Sequence, residues 1–280
     1  MFKIKYLHMT SSTQTLPYQV RTHNASTQSE NRMHSDDVAR QFGFKGGLVP
    51  GVTVFAHMTQ PLVAHYGQAW LTRGTADVSF GKPAYEGELL SVHTTAASAD
   101  ACALTCMNEH GVELARMSAA LPAIKASPDA RGDIAPAPPL RERPTVTWDL
   151  MEIGKPFPAL AWAPTQAENL EWCHGALDEL PLYREGTAPL LHPGLILRQA
   201  NFVLRKRFII PAWIHAASRI TFFEALRVGP AYEVRAIPEE KWNHKGHEFV
   251  RLYVAVRREQ RTVAEVLHTA IFQPRAREIS

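Results

Sequence analysis

The chain has 280 residues, of which 45% are hydrophobic and 20% charged, and this ordinary globular composition excludes a disordered, collagen-like or coiled-coil protein. With 30 basic and 27 acidic residues the net charge is +3, which is too balanced to indicate nucleic-acid binding. No apolar run approaches the ~18 residues of a membrane span, and the N-terminus lacks a signal-peptide pattern. Cys102, Cys106 and Cys173 form no CxxC pair. We therefore expect a cytoplasmic protein that requires no metal and no cofactor and binds neither nucleic acid nor membrane.

The first third of the chain predicts two helices followed by short strands. A first helix begins after Ser35, which is expected to cap it, and ends at Gly43. A longer helix with a helical period of apolar residues begins at Gly51 and ends at Gly67. Pro61 lies inside this pattern and is expected to kink or split the helix. Four β-like segments follow, over residues 75–80, 88–98, 102–108 and 112–121.

A proline-rich stretch then interrupts these patterns. Six prolines lie between residues 122 and 144, and no apolar period persists among them. Such a segment is semi-extended and solvated rather than part of a core. Its length of some 20 residues can span roughly 60 Å, which is enough to cross the face of a domain.

The second half of the chain repeats the first. The Pro-Gly pairs at 50–51 and 193–194 lie 143 positions apart, as do Trp70 and Trp213. Three further pairs lie 142 positions apart, namely Phe80 with Phe222, Gly87 with Gly229, and Val92 with Val234. A near-constant offset implies two copies of one unit. We therefore predict one unit over residues 1–121, a linker over 122–147 and a second, degenerate unit over 148–280.

The second unit predicts the same order of elements. A helix is expected over about residues 195–206, and strands near 214–223, 231–237, 248–257 and 262–273. The hairpin at 242–247 is predicted to be longer than its counterpart in the first unit. One long helix followed by four strands favours an α+β fold in which an antiparallel sheet wraps a buried helix.

Three segments of the first unit resemble the MaoC-like, (R)-specific enoyl-CoA hydratases of the hotdog superfamily. Residues 31–44 resemble the overhanging segment of that family, and 46–51 resemble the start of its central helix. Residues 80–88 are similar to its strand–turn–strand pattern F-x-x-P-v-x-x-G-d. Because the second half repeats the first, the resemblance implies a double hotdog fold, with two antiparallel sheets each wrapped on a central helix.

The resemblance also implies a hydration site. The family motif D-x-N-P-x-H places its histidine on His34 and its asparagine on Asn31, while the backbone N–H of Gly51 corresponds to the donor that holds the thioester oxygen. The aspartate place falls on Ser29, so the usual catalytic carboxylate is missing. Glu30 is adjacent and is the candidate substitute.

The chemistry of these residue types fits hydration of an enoyl thioester. Negative charge develops on the carbonyl oxygen during the addition, and a helix N-terminus offers unpaired N–H groups there. A histidine with a pKa near ~6.5 can move the proton. His34 and Asn31, with Glu30, are therefore the catalytic candidates, and Gly51, Val49 and Ser29 are the substrate-binding candidates. The expected partner is an acyl-CoA or acyl-carrier thioester, with a homodimer as the possible assembly.

Other interpretations stay open at this point. His34 can be a polar loop residue, and Asn31 can simply order its own loop. The missing aspartate favours a non-catalytic protein that binds an acyl thioester or another small ligand. A hotdog thioesterase is a further alternative, with Gln60 and Asp77 as loose candidates for positioning water.

Overall fold

The computed structural model describes residues 17–275. Within them the α-helices are α1 (Asp36–Gln41), α2 (Gly51–Tyr66), α3 (Gln68–Arg73), α4 (Gln166–Gly175) and α5 (Pro193–Arg207). The strands are β1 (Tyr18–Arg21), β2 (Thr75–Phe80), β3 (Leu89–Ala97), β4 (Ala101–Asn108), β5 (Glu113–Ala120), β6 (Leu160–Trp162), β7 (Ile214–Phe222), β8 (Tyr232–His244), β9 (His247–Arg258) and β10 (Arg261–Gln273). No helix within residues 17–275 is long and apolar enough to cross a bilayer.

All ten of these strands form one antiparallel sheet with an internal symmetry. Its order is β1-β3-β4-β5-β2-β7-β10-β9-β8-β6. Each half has the same strand order read outward from the β2–β7 pair, so β2 corresponds to β7, β5 to β10, β4 to β9, β3 to β8 and β1 to β6. In the β2–β7 pair Asp77 lies opposite Arg219, 142 positions along the chain. The 142-position offset between the repeated residues of the two halves therefore equals the separation between Asp77 and Arg219, which lie at the centre of this pairing.

The core lies between the sheet and the two long helices α2 and α5. Helix α5 is buried over most of its surface, because Leu195, Ile196, Leu197, Val203 and Leu204 are at most 1% exposed. Burial of each such side chain contributes roughly 1.5–3 kcal/mol. Helix α2 continues through Pro61 without being split.

One local expectation was wrong, and several short elements were missed. The hairpin between β8 and β9 has a turn of two residues, Lys245 and Gly246, both with positive φ (51° and 79°), because β8 extends to His244. This geometry matches the twist of two long paired strands and gives a tighter turn than the predicted loop. Helix α4 and the short strands β1 and β6 were not predicted, because their sequences carry little periodicity.

The linker crosses the outer face of the second half of the sheet and is anchored there. The Arg257 guanidinium donates to the carbonyl oxygen of Gly132 (2.5 Å), and a Cβ at Gly132 would lie 2.5 Å from the Thr262 hydroxyl. The Arg131 guanidinium lies 4.4 Å from the centre of the Tyr253 ring. These contacts hold part of the proline-rich segment against β9 and β10.

The centre of the sheet should be sensitive to loss of volume. Phe222 is fully buried on β7 and packs edge-to-face on Trp70, with ring centroids 5.2 Å apart. We expect Phe222→Ala to lower the free energy of unfolding by about 3–5 kcal/mol, because the cavity cannot collapse in a closely packed core. Urea titration measures this loss, with Thr221→Ala, half-buried on the same strand, as the control. Equal effects of the two substitutions would contradict the prediction.

Candidate functional site

Asn31 joins the loop of the first unit to the beginning of β7. Its Oδ1 accepts from the backbone N–H groups of Met33 (3.3 Å) and Trp213 (3.1 Å). Its Nδ2 donates to the carbonyl oxygen of Trp213 (3.0 Å) and to Nε2 of His34 (3.1 Å). Asn31 thus ties its own loop to Trp213 and contacts the adjacent histidine.

The hydrogen bonds of His34 define its tautomer. Nδ1 lies 2.7 Å from the carbonyl oxygen of Leu48 and must donate to it, so Nε2 carries the lone pair that accepts from Asn31. Burial lowers the pKa of His34 below its usual 6.5, and the hydrogen bond to Leu48 opposes this in part. The half-buried ring is thus a neutral imidazole with a basic Nε2.

The backbone packs closely between His34 and the start of α2. A Cβ at Gly47 would lie 2.2 Å from the carbonyl oxygen of His34, so glycine is required for this close approach. Three residues later Pro50 precedes α2. Within the described residues the backbone N–H of Gly51, the first residue of α2, has no hydrogen-bond acceptor, as is usual for a helix N-terminus.

Two cavities meet at this point. The apolar cavity, of about 220 Å³, lies between the loop before α2, the end of β2 and the start of β7. Its walls are formed by residues that include Met33, Phe44, Leu48, Val49, Gly51, Val54, Phe80, Ala84, Ile214, His215 and Ile271. The polar cavity, of about 210 Å³, lies against α4 and α5. Its walls include Ser26, Ser29, Glu168, Glu171, Trp172, Arg198, Phe202 and Arg205.

The two cavities share one wall, and the histidine stands in it. The residues that line both are Asn31, His34, Pro50, Asn201 and Trp213. The structure thus brings His34 and Asn31 together with Gly51 and Val49, which line the apolar cavity, and with Ser29, which lines the polar cavity. These five sequence candidates are gathered at one place.

Glu30 is placed differently from the other candidates. Its carboxylate pairs with the guanidinium groups of Arg143 (2.9 Å) and Arg205 (3.2 Å), and it lines neither cavity. The Ser29 hydroxyl donates to the carbonyl oxygen of Asn31 (3.0 Å). The Glu30 carboxylate is therefore engaged by arginines and the Ser29 hydroxyl by the loop backbone, and among the described residues neither forms a hydrogen bond with His34.

The second unit closes its own helix N-terminus. His192 Nδ1 accepts from the backbone N–H of Gly194 (3.0 Å), and His192 Nε2 lies 3.1 Å from the carboxylate of Asp178. Both side chains are at most 1% exposed, and His192 lines neither cavity. The start of α5 is thus capped internally, whereas the start of α2 faces a cavity.

Two buried polar residues of the second unit line the apolar cavity without having been predicted. Asn201 on α5 is 6% exposed, lines both cavities, and its Oδ1 has no partner among the described residues. His215 on β7 is also 6% exposed and lines the apolar cavity. The second unit, predicted to be degenerate, therefore contributes polar side chains to this cavity. The one available signal was the position of His215 two residues after the repeated Trp213.

The residues considered for a thioesterase lie elsewhere. Asp77 pairs with Arg219 (2.8 Å) on the outer face of the sheet, and Gln60 is half-buried on α2. Neither lines the apolar or the polar cavity.

The fold is shared with solved structures of low sequence identity. A protein of Chloroflexus aurantiacus named as a MaoC domain dehydratase is 12% identical, with a TM-score of 0.64 over 93% of this chain and 95% of that chain. A conserved hypothetical protein of Mycobacterium tuberculosis with a double hotdog fold is 16% identical, with a TM-score of 0.61 over 92% and 94%. The dehydratase domain of RzxB from Pseudomonas fluorescens is 13% identical, with a TM-score of 0.50 over 91% and 93%.

These similarities confirm the double hotdog fold that the sequence predicted. Identities of this size show the fold alone, and a protein of Lactobacillus plantarum named as an oleoyl thioesterase shares it too, at 8% identity and a TM-score of 0.52. No family model and no curated protein matches the chain.

Burial keeps several histidines neutral. Desolvation is the largest cause of a lowered pKa at His34 and His215, and it lowers the pKa of His57 to about 4 and that of His268 to about 3. These groups bind a proton near pH 6.5 in the unfolded chain but not in the folded one. As pH falls below 6.5 the unfolded state gains protons, so stability decreases.

We therefore expect the free energy of unfolding to fall between pH 7.5 and pH 5. A shift from 6.5 to about 4 at His57 corresponds to roughly 3 kcal/mol when complete. His57→Phe removes this contribution, so its stability should depend less steeply on pH than that of the wild type. Urea titrations at several pH values compare the two slopes, and identical slopes would contradict the prediction.

Proposed function

We propose that this protein hydrates an enoyl thioester at its β-carbon, or catalyses the reverse dehydration, with His34 as the proton-transfer group. The observation that carries the proposal is the position of His34 in the wall between the two cavities, beside the open N-terminus of α2. A neutral histidine with a basic nitrogen, a helix N-terminus and an apolar cavity are the three elements that conjugate addition to a thioester requires.

His34 can carry the proton through the whole reaction. Nε2 takes a proton from water while the water oxygen forms a bond to the β-carbon. The electron pair of the alkene moves towards the carbonyl carbon, and negative charge collects on the thioester oxygen beside the N–H of Gly51. The imidazolium then returns the proton to the α-carbon. One residue thus closes the proton balance, so the reaction needs no carboxylate from position 29 or 30.

Asn31 has a positioning role in this scheme. Its amide occupies the lone pair of His34 in the free protein, so this hydrogen bond must open when a water approaches Nε2. The three hydrogen bonds to Trp213 and Met33 keep Asn31 in place while that happens.

The two cavities divide the substrate between them. The apolar walls suit the acyl chain. In the polar cavity the guanidinium groups of Arg198 and Arg205 lie beside Trp172 and Phe202. Arg198 pairs with Glu168 (2.6 Å) and Arg205 with Glu30 (3.2 Å), and the Nε atom of each has no partner among the described residues. Such groups suit the phosphate-bearing arm of coenzyme A or of an acyl-carrier protein.

A non-catalytic acyl-thioester binder is the second candidate. It is favoured by Ser29 at the aspartate place and by the engagement of Glu30 with two arginines. Such a protein would show a ligand-dependent rise in melting temperature without turnover.

Loss of the histidine should abolish hydration. We expect His34→Ala to lower kcat about 10²–10⁴-fold, the usual contribution of one proton-transfer group. The assay follows enoyl-CoA absorbance over several chain lengths and measures free thiol in the same samples. His192→Ala, in the second unit, is the control and should retain turnover below its unfolding temperature. Release of thiol would indicate a thioesterase instead, and an active His34→Ala beside an inactive His192→Ala would contradict the assignment.

The reaction should also have a characteristic pH profile. Hydration requires neutral His34, and burial lowers its pKa below 6.5. We therefore expect kcat/KM to fall on the acid side only, with an apparent pKa below 6.5. The residual activity of His34→Gln should lack this fall at acid pH. If kcat/KM of the variant falls with the same apparent pKa as that of the wild type, the titrating group is not His34.

A further inference from the structure

A second histidine lies over the N-terminus of α2. The Cβ position of Gly51 is 3.0 Å from Nδ1 of His215. Because Cα–Cβ bonds in a helix tilt towards its N-terminus, the imidazole lies on the side where the unpaired N–H groups of α2 point. His215 is only 6% exposed and lines the apolar cavity. Its Nδ1 has no hydrogen-bond partner among residues 17–275.

A β-bulge directs this side chain inward. The pairing of β7 with β10 shifts register between Thr269 and Ala270, so Ala216 is the extra residue. The bulge changes the phase of the strand, and His215 and Ser218 therefore both face the core although three positions separate them.

The inward side chains form a hydrogen-bonded chain. His215 Nε2 lies 2.8 Å from the Ser218 hydroxyl, which lies 3.0 Å from Nδ1 of His268. Burial and then the neighbouring His268 lower the pKa of His215 well below its usual value, against an opposite effect of the Ala217 carbonyl. The ring is therefore neutral. When the Ser218 hydroxyl donates to Nε2 and accepts from Nδ1–H of His268, the proton of His215 must lie on Nδ1.

We propose that Nδ1–H of His215 is a second donor to the thioester oxygen, beside the backbone N–H of Gly51. This inference rests on the proposed function. An oxygen bound at the N-terminus of α2 selects the tautomer with the proton on Nδ1, and the Ser218 hydroxyl rotates to support it. The oxyanion site would then be built from both units, with a backbone donor from the first and a side-chain donor from the second. Removal of one oxyanion donor typically costs 10²–10³ in kcat.

A nearly isosteric pair of variants tests this role. His215→Asn keeps an amide donor near the position of Nδ1, whereas His215→Leu has a similar volume and no donor. We expect His215→Leu to lower kcat for enoyl-CoA hydration about 10²–10³-fold with KM changed only a few-fold, and His215→Asn to stay within about 10-fold of the wild type. His57→Phe, which removes a buried imidazole that lines neither cavity, is the control and should retain kcat.

The possible results separate this inference from the proposed function. Turnover in the wild type with the expected order of variants supports both. Three results with an active wild type would overturn the role of His215 and leave hydration standing. These are an unchanged kcat in His215→Leu, a change in the KM of His215→Leu alone, or equal losses of kcat in the Leu and Asn variants. Absence of turnover in the wild type for every enoyl-CoA overturns the proposed function, and this inference with it.

Discussion

The antiparallel pairing of β2 with β7 is the contact on which the rest of this structure depends. It joins two five-stranded halves into one sheet and places Asp77 opposite Arg219. The same junction brings the start of β7 against the loop and helix of the first unit, so that Trp213 bonds Asn31 and His215 lies beside Gly51. The candidate site is therefore a product of the junction, and neither unit contains all of it.

The two units use the same helix start in opposite ways. At α5 the preceding His192 accepts from the backbone N–H of Gly194 and is itself held by buried Asp178, which closes that end of the helix. At α2 the equivalent of His192, 143 positions earlier, is Val49, which offers no side-chain acceptor, and Gly51 lines a cavity. A single difference in capping thus leaves one of two homologous positions open to a ligand.

Desolvation gives the site its acid–base character. A histidine at the surface would be partly charged near neutral pH, whereas the burial of His34 and His215 favours the neutral rings. Neutral His34 then offers a lone pair at Nε2, and neutral His215 can offer a proton at Nδ1. The same burial makes the folded state sensitive to acid, so stability and chemistry depend on one physical cause.

The sequence by itself determined the repeat, both long helices, most of the strands and the candidates His34, Asn31 and Gly51, because each depends on local periodicity or on a short motif. The tertiary structure alone decided that Glu30 pairs with arginines and that His215 enters the site. Those outcomes depend on contacts between residues more than 60 positions apart and on a bulge that shifts the strand period, and local periodicity predicts neither.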